Sequence, residues 1–199
     1  MLLIAQLSPS WCNSQPWEVI VTEGDGTERF RQGLYEYAAR VTKGGSVAVE
    51  GSDFAFPERY VGVYKDRRRE CAWQLYESVG IAFGDRVGSA KQTMENFRLF
   101  NAPHVLIITS ARDLGVYGVL DCGVYLGHLL LAAQSLGIAT IPQAALAGCA
   151  AFIRDYFGIP KDRMVLVGVS FGYADDEHAA NRFRTSRAGL EAVAHWRSA

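Results

Sequence analysis

The stretch Ser8-Pro-Ser-Trp-Cys-Asn-Ser-Gln-Pro-Trp17 carries the strongest local signal in this sequence of 199 residues. Four of its side chains place short hydrogen-bonding groups close together, which suits a flat ligand with polar edges. They are Ser10, Asn13, Ser14 and Gln15. Two prolines, Pro9 and Pro16, stiffen the stretch because each fixes its own φ and restricts the residue before it. An ordinary turn that enters a strand fits the same composition, since turns are rich in these residues.

Strand and helix patterns follow this stretch along the chain. Trp17–Thr22 alternates side chains with the period of two that predicts a strand. Apolar residues from Phe30 to Val41 recur at helical spacing, and Gly44-Gly45 is predicted to end that helix. Residues 46–64 are rich in aromatic side chains but show no regular period, so they predict no element.

The second half of the chain holds the most apolar segments, after a further helical pattern that begins near Asp66. Pro103–Thr109 is a short apolar run rich in β-branched residues, which predicts a central strand covered on both faces. Asp121–Gly137 predicts a helix that is apolar around most of its circumference, with its first and last residues as caps. Such a helix is expected to be buried nearly all round, either in the middle of a domain or at a subunit interface. Met164–Phe171 predicts the last strand, and the mixed order of elements indicates an α+β fold.

Composition and charge exclude several classes of protein. The formal net charge is −1, and the longest basic run, Arg67-Arg-Arg69, is predicted to be a solvated helix face, so we expect no nucleic-acid partner. The four cysteines have no metal-ligand spacing and fit a reducing cytosol. No apolar run reaches the roughly 20 residues that span a bilayer, so we expect no membrane partner. The sequence therefore predicts a soluble, cytoplasmic protein with a single domain over residues 1–199.

Three segments together resemble the nitroreductase family of flavoproteins. Ser8–Trp17 is similar to a Pro-Ser-x-x-Asn-x-Gln-Pro-Trp pattern that borders the flavin in that family. Leu136–Gln143 resembles the family segment that runs along the isoalloxazine edge. Gly172-Tyr-Ala-Asp175, followed by Asn181–Arg187, resembles the closing Gly-Tyr and phosphate-side Arg motif. The matches occur in the family's order and cover nearly the whole chain.

The resemblance implies both a fold and a function. The fold would be an α+β, three-layer α/β/α sandwich, in a domain-swapped homodimer whose carboxyl-terminal segments wrap the partner subunits. The cofactor would be FMN, with NADH or NADPH as co-substrate. Hydride would pass through the flavin to a nitroaromatic, a quinone or a similar small-molecule acceptor by a ping-pong mechanism. A flavin also explains why no catalytic side chains emerge, because the cofactor performs the redox step.

The resemblance further implies which residues surround the cofactor. In the first motif these are Ser8, Pro9, Ser10 and Asn13, which would reach the flavin across the dimer interface. Gln15 either joins them or holds the loop together. Trp11 and Cys12 fall where the family lines its substrate pocket.

The two later motifs supply the remaining cofactor residues. Pro142, Gln143 and Ala144 align with the segment whose backbone N–H meets the flavin N5 region. The Gln143 side chain either contacts a ring carbonyl or caps the following helix. Arg187 occupies the family's phosphate-binding position and Arg184 is a second candidate, because a guanidinium matches phosphate oxygens bidentately. A solvated basic tail is the alternative reading of these arginines.

Other functions stay open at this point. A substrate-specific member of the family, such as a reductive dehalogenase or an enoate or ring reductase, would share the same motifs. The family usually carries an Arg-x-Ser-x-Arg-like stretch well before the Pro-Ser motif, but this sequence starts eight residues before Pro9. Either the true start lies upstream or the flavin site is incomplete, and an incomplete site would indicate a flavin-free binding relic. Ser170 lies in a G-x-S-x-G pattern, but no helix follows it as a nucleophile elbow requires, so a hydrolase is not favoured.

Overall fold

The computed structural model describes residues 1–43, 46–47 and 51–197, and the predicted helix end at Gly44-Gly45 lies outside them. The chain forms two compact units. Unit 1 comprises Met1–Pro57 and Arg86–Ala174, and unit 2 comprises Glu58–Asp85 and Asp175–Ala199. A single domain over residues 1–199 stays a prediction.

The helices and strands follow one another in a mixed order. They are α1 (Leu2–Ala5), β1 (Trp17–Thr22), α2 (Gly24–Val41), β2 (Thr42–Lys43), β3 (Ser46–Val47), α3 (Gly62–Ser78), α4 (Arg86–Met94), β4 (His104–Ala111), α5 (Gly115–Ser135), β5 (Ala139–Gln143), α6 (Ala144–Ala147), α7 (Ala150–Phe157) and β6 (Arg163–Gly172). Short 3₁₀ turns lie at Trp11–Asn13, Leu99–Asn101, Arg112–Leu114, Ala179–Asn181 and Leu190–Ala192. The strands predicted from the sequence are therefore confirmed to within two residues at each end.

A four-stranded antiparallel sheet forms the middle of unit 1, in the order β1-β4-β6-β5. Successive side chains of β4 lie on opposite faces of the sheet. Val105 and Ile107 pack with residues of α2 and α7, whereas Leu106 and Ile108 pack with residues of α5. The six central residues of β4 are all buried, as predicted for a strand covered on both faces. Unit 1 is thus a three-layer α/β/α sandwich, and the predicted α+β class is confirmed.

Helix α5 differs from its prediction in its start and in its burial. It begins at Gly115, so Asp121 is not a cap but lies inside the helix and is buried. Gly118 lies where the helix meets β4, because a Cβ there would come within 2.6 Å of Ser110 Oγ. Only one face of α5 meets the sheet, and Leu131 on the other face is 71% exposed. The single chain therefore does not bury this helix all round, and of the two predicted settings only a subunit interface would cover its outer face.

By length and hydropathy, Arg112–Ser135 would also suit a membrane-spanning helix. Its inner face, however, supplies much of one core layer of unit 1 through Cys122, Tyr125 and Leu129. A core helix of a globular protein passes the same hydropathy test.

Asp53, from the segment that predicted no element, is bound to other parts of unit 1. Its carboxylate accepts hydrogen bonds from the guanidinium groups of Arg112 and Arg154, and from the backbone N–H of Val165 at 2.7 Å. All three donors come from other parts of the chain. The local sequence pattern around Asp53 therefore could not predict this contact.

Candidate functional site

The Ser8–Pro16 loop, called the amino-terminal loop below, is held against α5 by Asp121. The backbone N–H of Trp11 donates to both Asp121 carboxylate oxygens, at 3.2 and 3.1 Å. The Ser14 hydroxyl donates to the same carboxylate at 3.4 Å. Because Asp121 is only 6% exposed, these bonds form largely away from water and fix the loop firmly.

A second anchor joins the start of the loop to the same helix. The Ser8 hydroxyl donates to Ala5 O at 2.7 Å, so its oxygen accepts from His128 Nδ1–H, also at 2.7 Å. Ser8 is buried. The structure therefore places the Ser8 side chain inside the protein, where it positions the loop and cannot itself touch a ligand. This differs from its predicted role as a cofactor contact.

The middle of the loop has an unusual backbone. Cys12, Asn13 and Gln15 have φ values of 52°, 57° and 45°, in the left-handed region that non-glycine residues seldom adopt. Each residue in this conformation raises the free energy of the folded state by on the order of 1–3 kcal/mol, so surrounding contacts must hold it in place. Backbone strain of this kind clusters at ligand sites.

Gln15 supplies several of the holding contacts. Its backbone N–H donates to Ser10 Oγ at 2.9 Å, and its Nε2 donates to Asn13 Oδ1 at 3.2 Å. Its Oε1 accepts from Gln6 Nε2, and Gln6 Oε1 accepts from Trp17 Nε1. Of the two predicted roles for Gln15, the contacts favour the one that holds the loop together.

The loop still presents polar and aromatic groups to solvent. Within the part of the chain that the structure describes, Asn13 Nδ2 has no hydrogen-bond partner, and the Ser10 hydroxyl hydrogen has none either. Trp11 is 67% exposed, with its ring centroid 5.8 Å from that of Tyr117, and Pro9 and Cys12 are also exposed. A rigid loop that offers free donors beside exposed aromatic rings can bind a flat ligand with polar edges.

The Pro142–Ala144 segment ends strand β5, which lies at an edge of the sheet. Pro142 and Ala144 are exposed, but the Gln143 side chain is buried. Gln143 Nε2 donates to Asn96 O at 2.7 Å, and Oε1 accepts from the Ser170 hydroxyl. The Gln143 side chain therefore neither reaches a ligand nor caps α6, and only the backbone of this segment is free to do so.

The two predicted phosphate-binding arginines belong to unit 2 and are exposed. Each guanidinium uses Nη1 to donate to nearby carbonyl groups, those of Asn181 and Phe183 for Arg184, and those of Thr185 and Ser186 for Arg187. Their Nε and Nη2 groups have no partner among the described residues. One edge of each guanidinium fork thus remains available for an oxyanion.

The structure does not bring the loop and the Pro142–Ala144 segment together in one chain. The loop precedes β1 and the segment ends β5, and these are opposite edges of the sheet. Three strand spacings separate the two edges, roughly 14 Å. A single chain therefore cannot close both segments on the same small ligand from adjacent positions.

Sequence reasoning missed three residues that build the site. They are Asp121, His128 and Arg163, and the last donates to Pro16 O at 2.9 Å. All three act on the loop from more than 100 residues away. A buried Asp on an otherwise apolar helix face was the available signal, because an unpaired carboxylate is seldom buried.

Comparisons with known proteins identify relatives of this chain. The Nitroreductase family model matches residues 1–173. The chain is 35% identical to nitroreductase NfnB of Mycolicibacterium smegmatis, over 94% of this chain and 77% of that protein. It is 31% identical to the chloronitrobenzene nitroreductase of Comamonas testosteroni, over 96% and 82% of the two chains.

The fold matches a solved structure from the same group. The crystal structure of the FMN-dependent nitroreductase NfnB from Mycobacterium smegmatis in complex with NADPH superposes with a TM-score of 0.89 and 34% identity, over 98% of this chain and 85% of that one. The family match and these identities lead to one conclusion: the chain belongs to the nitroreductase family.

Proposed function

We propose that this protein is an FMN-dependent oxidoreductase that uses NADH or NADPH to reduce nitroaromatic compounds. The observation that carries the proposal is the 35% identity to a nitroreductase over 94% of the chain. Other relatives are named 4-nitrobenzoate reductase, from Pseudomonas putida, and FMN reductase [NAD(P)H], from Bacillus subtilis. Both names describe the reduction of a small molecule, and the second also names FMN and NAD(P)H.

The residues present fit FMN. The free Asn13 amide and Ser10 hydroxyl suit the polar edge of a flavin ring. The edge strand β5 leaves backbone groups open for a second ring contact, and the free forks of Arg184 and Arg187 suit a phosphate. These donors are the kinds that a phosphorylated flavin requires.

Bound FMN supplies the two-electron redox chemistry, so the side chains have to bind, orient and exclude water. Ser10, Asn13 and the backbone of Pro142–Ala144 would contact the cofactor, and Trp11 and Cys12 would line the substrate pocket. Ser8, Gln15 and Gln143 would position these groups, because their side chains are already bonded within the protein. A nicotinamide that leaves before the acceptor enters the same pocket gives ping-pong kinetics.

The proposed enzyme is a homodimer. Because the loop and the Pro142–Ala144 segment lie at opposite edges of one sheet, a second copy is needed to place a loop beside a Pro142 segment. The exposed face of α5 suits such a contact. Leu120 and Leu131 flank Gly123 and Gly127, and a Cβ at either glycine would meet nothing within 4 Å, so another backbone can approach closely. Wrapping of the partner by the carboxyl-terminal segment stays a prediction, as does a soluble, cytoplasmic location.

The alternatives are less well supported. The named relatives reduce nitrobenzoates, nitrobenzene and chloronitrobenzene, which favours a nitroaromatic acceptor over a dehalogenase or an enoate or ring reductase. A flavin-free relic would not need to keep a strained loop with free donors.

An absorption spectrum of the purified full chain with added FMN tests the proposal. We expect a flavin band that bleaches on anaerobic addition of NADPH or NADH and returns on addition of 4-nitrobenzoate. A band that bleaches but returns only with oxygen would contradict the nitroaromatic acceptor. A protein that binds no FMN would contradict the proposed function as a whole.

A further inference from the structure

Unit 2 contains a cavity of about 290 Å³ between helix α3 and the carboxyl-terminal tail. Arg67, Gln74 and Cys71 line it from α3, and Ser186 and Arg187 line it from the tail. Arg67-Arg-Arg69 is exposed on a helix, as the sequence predicted, and the first arginine of this run also lines the cavity. The volume is small for a whole dinucleotide, since drug-sized ligands occupy 300–1,000 Å³.

The charges in the cavity favour an anion. Arg67 makes no hydrogen bond or ion pair with any described residue, and Arg187 has Nε and Nη2 free. The one acidic group in the lining, Glu70, already accepts from the Ser186 hydroxyl at 2.9 Å. Two cations against one carboxylate leave a net positive cavity, and two guanidinium forks can share a phosphate dianion.

Gln74 adds an independent observation. Its Oε1 is buried and has no hydrogen-bond partner among the described residues, which is costly for a polar atom. Gln74 lies in the lining of the same cavity. A bound hydroxyl group would supply the missing donor.

We propose that Arg67, Gln74 and Arg187 form a recognition pocket for a phosphorylated polyol, in which the arginines hold the phosphate and Gln74 accepts from a neighbouring hydroxyl. The proposal rests on the FMN and NAD(P)H function proposed above, because FMN and NADPH both carry this chemistry. One source is the ribityl phosphate of FMN, and the other is the ribose 2′-phosphate of NADPH. Arg67 is the new member of the site in either case.

Binding measurements on the full chain separate the two sources. We would titrate FMN and riboflavin by flavin fluorescence, and measure KM for NADPH and NADH, with Arg67→Ala and with Arg69→Ala as the matched control. Arg69 belongs to the same basic run but does not line the cavity. Because Arg67→Ala removes one charge-assisted contact, we expect it to weaken binding of the phosphorylated ligand about tenfold or more.

Each outcome decides between sources or against the proposal. If Arg67→Ala binds FMN tenfold more weakly but binds riboflavin unchanged, the phosphate of FMN is the ligand of the cavity. A tenfold higher KM for NADPH with unchanged KM for NADH identifies the ribose 2′-phosphate. Equal changes for the phosphorylated and unphosphorylated ligands, or no change beyond that of Arg69→Ala, would overturn the proposal.

Two further arms keep the proposal separate from the proposed function. Inorganic phosphate is titrated calorimetrically without any flavin, and Arg67→Ala, unlike Arg69→Ala, is expected to abolish its heat of binding. If the protein bound no flavin but did bind phosphate through Arg67, the function would fail and the pocket would stand. Gln74→Leu is expected to raise the melting temperature of the free protein, because it removes an unpaired buried oxygen. It is also expected to weaken binding of the phosphorylated ligand several-fold. An unchanged affinity would show that Gln74 does not contact the ligand.

Discussion

The amino-terminal loop and the carboxyl-terminal tail would serve the same cofactor, yet they are built in opposite ways. The loop is tied by bonds to residues more than 100 positions away, through Asp121 and His128. The tail arginines bond only to groups within five positions of themselves, as Arg187 does with Thr185. The loop is therefore fixed before a ligand arrives, whereas the tail arginines keep free donors for one. Changes in the loop should cost stability, and changes in the tail should cost binding.

Loss of the dimer is the largest expected effect, because the proposed flavin site needs the loop of one chain beside the Pro142–Ala144 segment of another. Leu131→Asp places a charge on the exposed face of α5 and is expected to give a monomer by analytical ultracentrifugation. Leu130→Ala is the control, since Leu130 packs on the core and its loss should lower stability without separating the chains. A Leu131→Asp protein that stayed dimeric would show that this face is not the interface.

Asp121→Ala tests the fixed region next. Trp11 N–H and the Ser14 hydroxyl would lose their buried acceptor, and we expect the free energy of unfolding to fall by about 3 kcal/mol. Urea unfolding followed by tryptophan fluorescence measures this loss. Asp121→Asn keeps the shape and one acceptor oxygen and should lose less. If both variants were as stable as the original protein, the loop would not be fixed by α5.

Arg187→Ala tests the tail. The guanidinium touches only local backbone and side-chain groups, so stability should stay the same while FMN affinity falls about ten- to a hundredfold. Fluorescence titration gives the affinity, and the urea midpoint gives the stability. If Arg187→Ala lost as much stability as Asp121→Ala, the tail would contribute to folding as the loop does, and the proposed difference between the two regions would be wrong.

Gln15→Ala should have a smaller effect, because the side-chain hydrogen bonds that it removes are exposed. We expect a loss of about 1 kcal/mol in urea unfolding. Gln15→Gly removes the same bonds but relieves the positive φ. A glycine variant more stable than the original would mean that strain outweighs the side-chain bonds at this position.

The cysteines give the mildest probe, with one exposed thiol in the loop and another on helix α3. Cys12 and Cys71 should react with a thiol reagent at pH 8, whereas Cys122 and Cys149 should not. Burial raises the pKa of Cys122 from 9.0 to about 11 and that of Cys149 to about 12. Native thiols therefore stay protonated where unfolded thiols ionise, so stability should fall as the pH rises from 9 toward 12. Rapid labelling of all four thiols in the native protein would contradict this burial.

Local pattern predicted the strands well and the start of the central helix poorly. β1 is found at the predicted residues because alternation is a property of the segment itself. Helix α5 starts six residues before Asp121, because Gly115 and Gly118 weaken the local helix signal, and packing against β4 outweighs their low propensity.

The cofactor and substrate roles of the motif residues stay predictions. Trp11, Cys12 and Asn13 are exposed, as a binding loop requires. The burial of the Ser8 and Gln143 side chains was not foreseen. A motif shows which residues lie in a segment, but burial depends on what packs against that segment.

The sequence by itself determined the fold class and the main strands, because periodicity is local and is read directly from the order of residues. It also carried the three motifs that resemble the nitroreductase family. Only the tertiary structure decided that Asp121 holds the loop, that Gln143 faces inward, and that Arg67 joins Arg187 at one cavity. These facts depend on contacts between segments far apart in the chain. Such contacts are set by how the sheet and helices pack, and no local pattern encodes them.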